Sequence, residues 1–331
     1  MLIQEICSGY WKSSVLFTAN KLHLFTKLGN KQLSKEEIAR EYKADTGGME
    51  KLLNACVSMG LLEKKSGLYK NSEFSSKFLA EGKDWYQGYI IAHWADMFVA
   101  GHWQRLEKAV LTGSPVRGIE DRLYDEKNEW GFGNGLYNWV IGMHNWAMAE
   151  HAELLASAVD LEGRKNLIDI GGGSGTYSIV LCQKYKNLNA IVFDLPEVIE
   201  IAKKIIEKYN LSDRITTISG DLRYDSWDQG DVILLSNVLH MGKSDFCKKA
   251  LKKCYESLPA GGLVIIQEWF LNPDKTAPTL SALFSLHILA RPGGDVYSAS
   301  EMMGWMHDIG FANIKEITLP GLWSLVTAEK L

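Results

Sequence analysis

The stretch Leu167-Ile168-Asp169-Ile170-Gly171-Gly172-Gly173-Ser174-Gly175 ends an apolar run in glycine. A tight strand-to-helix turn needs such residues, and so does a ligand that must approach the backbone closely. In an open α/β sheet, ligands sit beyond the carboxyl ends of the strands. Gly171, Gly173 and Gly175 form a GxGxG spacing, and Thr176 stands where the dinucleotide fingerprint GxGxxG requires its last glycine. Asp169 beside the turn repels a pyrophosphate but suits a ligand carrying an ammonium and a sulfonium. Asp194 ends the next apolar strand, in Val192-Phe193-Asp194-Leu195-Pro196, where a carboxylate accepts both hydroxyls of a ribose. Gly220-Asp221-Leu222 closes a third strand and can frame an adenine. These positions predict an adenosine ligand with a ribose and no pyrophosphate. His240 ends the run DVILLSNVLH and Glu268 ends LVIIQE, which reads as two strands with polar tips. A carboxylate beside an imidazole accepts its second N–H, fixes the tautomer and stabilises the imidazolium.

The elements that must position these residues alternate from Asn166 onward. Strands are predicted at Leu167 to Ile170, Ala190 to Phe193, Ile215 to Ile218, Val232 to Leu235 and Leu263 to Gln267. Helices are predicted near Tyr177 to Lys184, Pro196 to Tyr209, Ser244 to Leu258 and Thr279 to Ala290. Short apolar strands between helices imply a parallel sheet covered on both faces. Two more strands, joined through Leu319-Pro320-Gly321, are predicted after Ala312.

The N-terminal hundred residues read differently. Apolar residues at helical spacing predict helix across Ile6 to Leu28, Ser34 caps a second helix with an acidic first turn, and a third runs from about Gly48 to Leu62. Two strand-like pieces around Ser66-Gly67 complete a helix-turn-helix-wing order. DNA binding is disfavoured, because the candidate recognition helix offers only Glu50, Lys51 and Asn54 among apolar or small residues. Burial against another helical surface, such as a second subunit, suits that helix better. Between Trp85 and Trp146 the chain turns aromatic, with Trp130 and Trp139 among its tryptophans. Helical core packing explains most of these, and Trp139, Met143 and Trp146 are candidates to line a pocket for a planar ligand.

The totals agree with an ordinary globular protein. Of 331 residues, 46% are hydrophobic and 23% charged, and the net charge of -4 argues against a general nucleic-acid or membrane-surface binder. Five widely spread cysteines without a CxxC pair support neither a disulfide framework nor a metal site, so a reducing cytoplasm is expected. No signal peptide or membrane-spanning run is predicted.

The ordered motifs LIDIGGGSGTYSI, VFDLPEV, SGDL, DVILLSNVLH, LPAGGLVIIQEW and ARPGG resemble the S-adenosylmethionine-dependent O-methyltransferases of the caffeic-acid and hydroxyindole type. The resemblance covers nearly the whole chain. It implies a winged-helix dimerisation domain at 1–100, a helical linker contributing to the substrate pocket at 101–160, and a Rossmann-like, doubly wound catalytic domain at 161–331. It also implies a homodimer acting on a small aromatic or heteroaromatic substrate, with S-adenosyl-L-methionine as cofactor and S-adenosyl-L-homocysteine as product. Asp169, Gly171, Gly173, Asp194, Leu195, Asp221, Leu222 and Ser236 are then expected at the cofactor, His240 as catalytic base and Glu268 as its supporting acid. His144 and His287 join Trp139, Met143 and Trp146 as pocket candidates.

Three positions depart from that family's pattern. Met241 and Gly242 follow the histidine where Asp and Trp are usual, Val296 replaces a second supporting acid, and Ser236 stands where plant-type members carry Lys. These departures keep a nitrogen, sulfur or carbon acceptor open. A winged-helix regulator that senses S-adenosylmethionine is a separate alternative, and the apolar recognition helix counts against it. A dehydrogenase is disfavoured by Thr176 and Asp169.

Overall fold

A computed structural model describes residues 2–99, 101–116, 135–291, 294–321 and 323–331. The chain divides into two compact units, one of Met1–Val99 with Ile141–Ala149, the other of Ala100–Val140 with Glu150–Leu331. Trp130 and Gly293 lie outside the described residues.

The first unit carries strands β1 (Leu33–Ser34), β2 (Leu62–Lys65) and β3 (Leu68–Asn71), paired antiparallel in the order β1-β3-β2. Ser34 caps the helix Lys35–Tyr42 in a capping box with Glu37. The next helix, Thr46–Ser58, turns Met49, Leu53 and Cys56 into the core. Two of its three candidate recognition residues are spent inside the unit: Glu50 pairs with Lys35 at 2.6 Å, and Asn54 Oδ1 accepts from Lys64 and Tyr69, whereas Lys51 is exposed. This helix stops four residues short of Leu62, which instead opens β2. The helix expected across Ile6 to Leu28 is three helices, Leu2–Cys7, Gly9–Lys21 and Leu24–Leu28, the last preceded by His23 in a left-handed conformation at φ +52°.

The second unit is built on a seven-stranded sheet. Its strands are β4 (Asn166–Ile170), β5 (Asn189–Asp194), β6 (Ile215–Ser219), β7 (Val232–Ser236), β8 (Leu263–Glu268), β9 (Ala312–Thr318) and β10 (Ser324–Glu329), in the order β6-β5-β4-β7-β8-β10-β9. The first five run parallel, and β10 enters antiparallel beside β8. Leu167, Ile168 and Ile170 are 0% exposed, as a strand buried on both faces requires. The helix Pro196–Lys208 buries Val198, Ile199, Ala202, Ile205 and Ile206, one stripe at helical spacing. The helix Ser244–Ser257 adds Cys247, Ala250, Leu251 and Cys254 to a core that includes Ile233, Leu235 and Ile266. Strand order reverses at β4, with β5 on one side and β7 on the other, so the crevice for a ligand opens at the carboxyl ends of these strands.

Candidate active site

Beyond β4 the chain turns through Gly171, Gly173 and Gly175 at φ +65°, +56° and +73°, backbone that glycine adopts without strain. The Gly171 N–H donates to the carbonyl of Phe193 at 2.8 Å, which stitches the turn to the end of β5. A Cβ on Gly172 would lie 2.7 Å from Asp169 Cγ and 2.9 Å from Val192, whereas one on Gly173 would meet nothing within 4 Å. The turn is therefore packed beneath and open above. Asp194 Oδ2 accepts the N–H of Gly173 and Oδ1 that of Leu195, both at 2.7 Å, so the loop itself orients the carboxylate. Burial raises the Asp194 carboxyl above its ordinary range, against the pull of those two donors.

Asp169 is fully buried under the turn. Its Oδ2 accepts the Ser178 hydroxyl at 2.7 Å and its Oδ1 has no hydrogen-bond partner within the protein. Burial pushes this carboxyl up to about 7, opposed by Ser178 and reinforced by the charge of Asp194. A half-satisfied acid beneath an open glycine turn fits a ligand that brings positive charge. Asp221 faces the loop after β6, where Arg223 grips its carboxylate and holds it below the usual range. Leu222 packs beside it on the core. The Ser236 hydroxyl donates to Gln267 Oε1 at 2.7 Å and accepts from Asn237 at 3.1 Å, and Tyr177 joins the same polar group.

The histidine corner corrects one expectation. β7 stops at Ser236, so His240 does not end the strand. Asn237 takes φ +58°, and Leu239–Met241 then form a single 3₁₀ turn that carries the imidazole. His240 Nδ1 lies 2.8 Å from Glu268 Oε2, while Glu268 Oε1 accepts the backbone N–H groups of Leu239 at 2.8 Å and His240 at 3.2 Å. The same carboxylate thus orients the ring and caps the turn that bears it. From the other side the N–H of Asp295 donates to the His240 carbonyl at 3.1 Å. Gly294 makes that approach possible, since a Cβ there would overlap the carbonyl. Val296 is 2% exposed and lines, with His240, Glu268, Tyr297 and Met302, a cavity of about 10 Å³. That volume is at the lower limit for one water.

Four aromatic rings continue from this corner. Trp269 stacks on Phe284 at 4.4 Å, Phe284 on His287 at 5.8 Å and His287 on Trp103 at 6.2 Å, with interplanar angles of 21°, 22° and 23°. His240 meets the same Phe284 edge-on at 5.1 Å. Burial, with Arg291, His102 and His240 nearby, lowers His287 to about 4, so its ring is neutral near pH 7. His287 is one of the pocket candidates of the sequence, and the structure adds Phe284 and Trp269 beside it. Phe284 lies three residues before His287 on one face of the helix Thr279–Ala290, and that spacing was the available signal. The remaining pocket candidates lie on the helix Gly135–Trp146. Trp139 belongs to the second unit and is half-buried, while Met143, the buried His144 and Trp146 belong to the first.

A doubly wound sheet with this strand order, a glycine turn over a buried acid and a carboxylate at the tip of the next strand defines a nucleoside-binding enzyme of the Rossmann-like class. The comparisons with known proteins narrow the class. Residues 132–312 match the O-methyltransferase domain and residues 4–81 the O-methyltransferase dimerisation domain. The chain is 31% identical to the 3-hydroxy-5-methyl-1-naphthoate 3-O-methyltransferase of Streptomyces sahachiroi, over 99% of this chain and 95% of that one. It is 27% identical to the acetylserotonin O-methyltransferase of Bos taurus, over 99% and 97%. Human N-acetylserotonin methyltransferase, solved with S-adenosylmethionine, superposes with a TM-score of 0.88 at 24% identity, over 99% and 96% of the two chains. The chain belongs to the S-adenosylmethionine-dependent O-methyltransferase family.

Proposed function

We propose that the protein methylates a hydroxyl of a small aromatic or heteroaromatic molecule, with His240 as general base and Glu268 as the residue that positions it. S-adenosylmethionine supplies an electrophilic methyl group on its sulfonium sulfur. The chain supports its nucleoside through Gly171 and Gly173, the ribose hydroxyls through Asp194 beside Leu195, and the adenine through Asp221 and Leu222, with Ser236 at the end of β7. The unpaired oxygen of the buried Asp169 gives the cationic end of the cofactor a negative partner.

The observation that carries the reading is the His240–Glu268 pair. With Nδ1–H donating to Glu268 at 2.8 Å, Nε2 is the basic nitrogen and takes the proton of the acceptor hydroxyl as the methyl transfers. Glu268 then holds the imidazolium by charge. Proximity supplies the rest, because acceptor oxygen and methyl need only be held about 3 Å apart with water excluded. The stacked rings beside His240 favour a planar acceptor, in keeping with the naphthoate and acetylserotonin named for the relatives.

The same reading makes the protein a homodimer. Leu2, Ile3, Ile6, Tyr10 and Trp11 are more than half exposed in one chain, the last three within the segment that matches the dimerisation domain and the first two just before it. Light scattering on the purified protein tests this through its mass. For the activity, methyl-labelled cofactor is incubated with a panel of phenols, hydroxy-heterocycles and amines, and products are read by mass spectrometry. A phenolic product whose formation falls by a factor of roughly 10² to 10⁴ in His240→Ala supports the base. Methylation only of amines, unaffected by His240→Ala, would overturn it.

A further inference from the structure

We propose that Phe246, together with Leu222, forms the walls that hold the purine of the cofactor, and that Gly242 lacks a side chain so that Phe246 can stand there. The proposal rests on the reading that Asp194 and Asp221 flank the nucleoside.

Gly242 ends the turn that carries His240, at φ −127° and ψ 165°. That is ordinary extended backbone, so conformation does not demand glycine. Space does: a Cβ at this position would overlap the ring of Phe246, in the first turn of the helix Ser244–Ser257. An aromatic ring thus occupies the volume that a side chain at residue 242 would fill. The same ring lines, with Leu222 and Ala250, a groove of about 510 Å³ between that helix and the loop after β6. The width of this groove is set by Lys253, whose ammonium donates to the carbonyls of Leu222 at 3.2 Å and Asp225 at 2.8 Å.

Connectivity then selects the occupant. The N–H of Gly220 donates to the carbonyl of Asp194 at 2.9 Å, which places the Gly220-Asp221-Leu222 turn directly beside the ribose position. A base on a ribose held by Asp194 reaches that turn, and the groove begins at Leu222. Three of the four cations at the groove are engaged, Arg223 with Asp221, Lys252 with Glu256 and Lys253 with the two carbonyls, and the fourth, Lys249, stands exposed on the helix. What they leave for a ligand is mainly apolar surface and one aromatic face, which suits a purine better than a phosphate.

The test measures S-adenosylhomocysteine binding by calorimetry for the wild type, Phe246→Leu, Phe246→Tyr, Gly242→Ala and Asp194→Asn. Phe246→Leu keeps the apolar bulk and loses the ring, so its Kd should rise roughly 10- to 100-fold, while Phe246→Tyr should stay within about threefold. The purine absorption band should lose intensity on binding to the wild type and Phe246→Tyr but not to Phe246→Leu, a change that a purely structural role would not produce. Gly242→Ala, which displaces the ring without altering it, should raise Kd about tenfold and decides the matter if Phe246→Leu does not fold. A folded Phe246→Leu protein that binds as tightly as the wild type overturns the proposal. If Asp194→Asn weakens binding in that case, only the purine wall is wrong; if Asp194→Asn is also without effect, the nucleoside placement itself falls.

Discussion

The glycine turn and the histidine corner face the same crevice but are made of different materials. At the turn, backbone does the shaping: three left-handed glycines, an N–H bonded across to Phe193, and a carboxylate held by two further N–H groups. At the corner a side chain does it, since Glu268 holds both the His240 ring and the turn beneath it, and stacked rings extend outward from there. A part common to every catalytic cycle can be built rigidly from backbone. Under the proposed assignment, the part that must match one acceptor is built from side chains, which can be exchanged singly.

The sharpest way to break this contrast is to remove one support from each region. Glu268→Gln keeps the shape but loses the charge that stabilises an imidazolium, so kcat should fall about 100-fold while the Kd for S-adenosylhomocysteine stays within about twofold. Gly172→Ala should do the reverse. Its new methyl meets Asp169 and Val192, neither of which can retreat, so the cofactor Kd should rise roughly 10- to 100-fold with stability reduced by about 1–3 kcal/mol. Steady-state kinetics beside calorimetry reads both. If Glu268→Gln weakened cofactor binding as much as Gly172→Ala does, the two regions would be one unit and the contrast would fail.

The same contrast explains what the sequence reveals unaided. The five parallel strands lie within a residue or so of their expected bounds, because runs such as Val232 to Leu235 are apolar throughout and others, such as those of β4 and β5, stop in glycine or a carboxylate. Asp194 and Glu268 stand at strand tips as expected. His240 is displaced from its expected strand because Asn237 adopts a left-handed conformation that no apolar pattern announces. Most of the aromatic wall is invisible in sequence for a different reason: Trp103 and Trp269 come from elements separate from the helix that carries Phe284 and His287, and share no period with it. The helix Ala299–Ile309 carries a local sequence signal of its own, the capping box of Ser298 and Glu301.

Titration separates the regions by sign. The turn buries an acid, Asp169, raised to about 7, and the corner buries a base, His287, lowered to about 4. Between pH 4 and 6.5 the unfolded chain carries a proton on His287 that the native state lacks, so this group makes stability rise with pH. Over the same window native Asp169 keeps a proton that the unfolded chain has lost, so it makes stability fall with pH. Each contributes up to about 1.4 kcal/mol per pH unit. In urea unfolding from pH 4.5 to 6.5, His287→Phe should shift the slope of stability against pH downward and Asp169→Asn should shift it upward. Shifts of the same sign would show that one of these groups is not buried in the stated form.

The smallest effect asked for is at Phe284, and it tests the exchangeability of the wall. This ring touches His240 edge-on, stacks on Trp269 and lies against His287, so it links the imidazole to the aromatic run. Aromatic pairs of this kind are worth about 0.5–1.5 kcal/mol beyond the area they bury. Phe284→Leu should therefore raise the KM for the acceptor about two- to tenfold, with little change in kcat and none in cofactor Kd. The His240–Glu268 bond survives the substitution because it draws on backbone N–H groups that Phe284 does not touch. A graded loss confined to acceptor KM means that the wall selects the acceptor and leaves the chemistry to the pair. A collapse of kcat in Phe284→Leu would mean instead that the ring holds the imidazole in place, and that the corner is as rigid a construction as the turn.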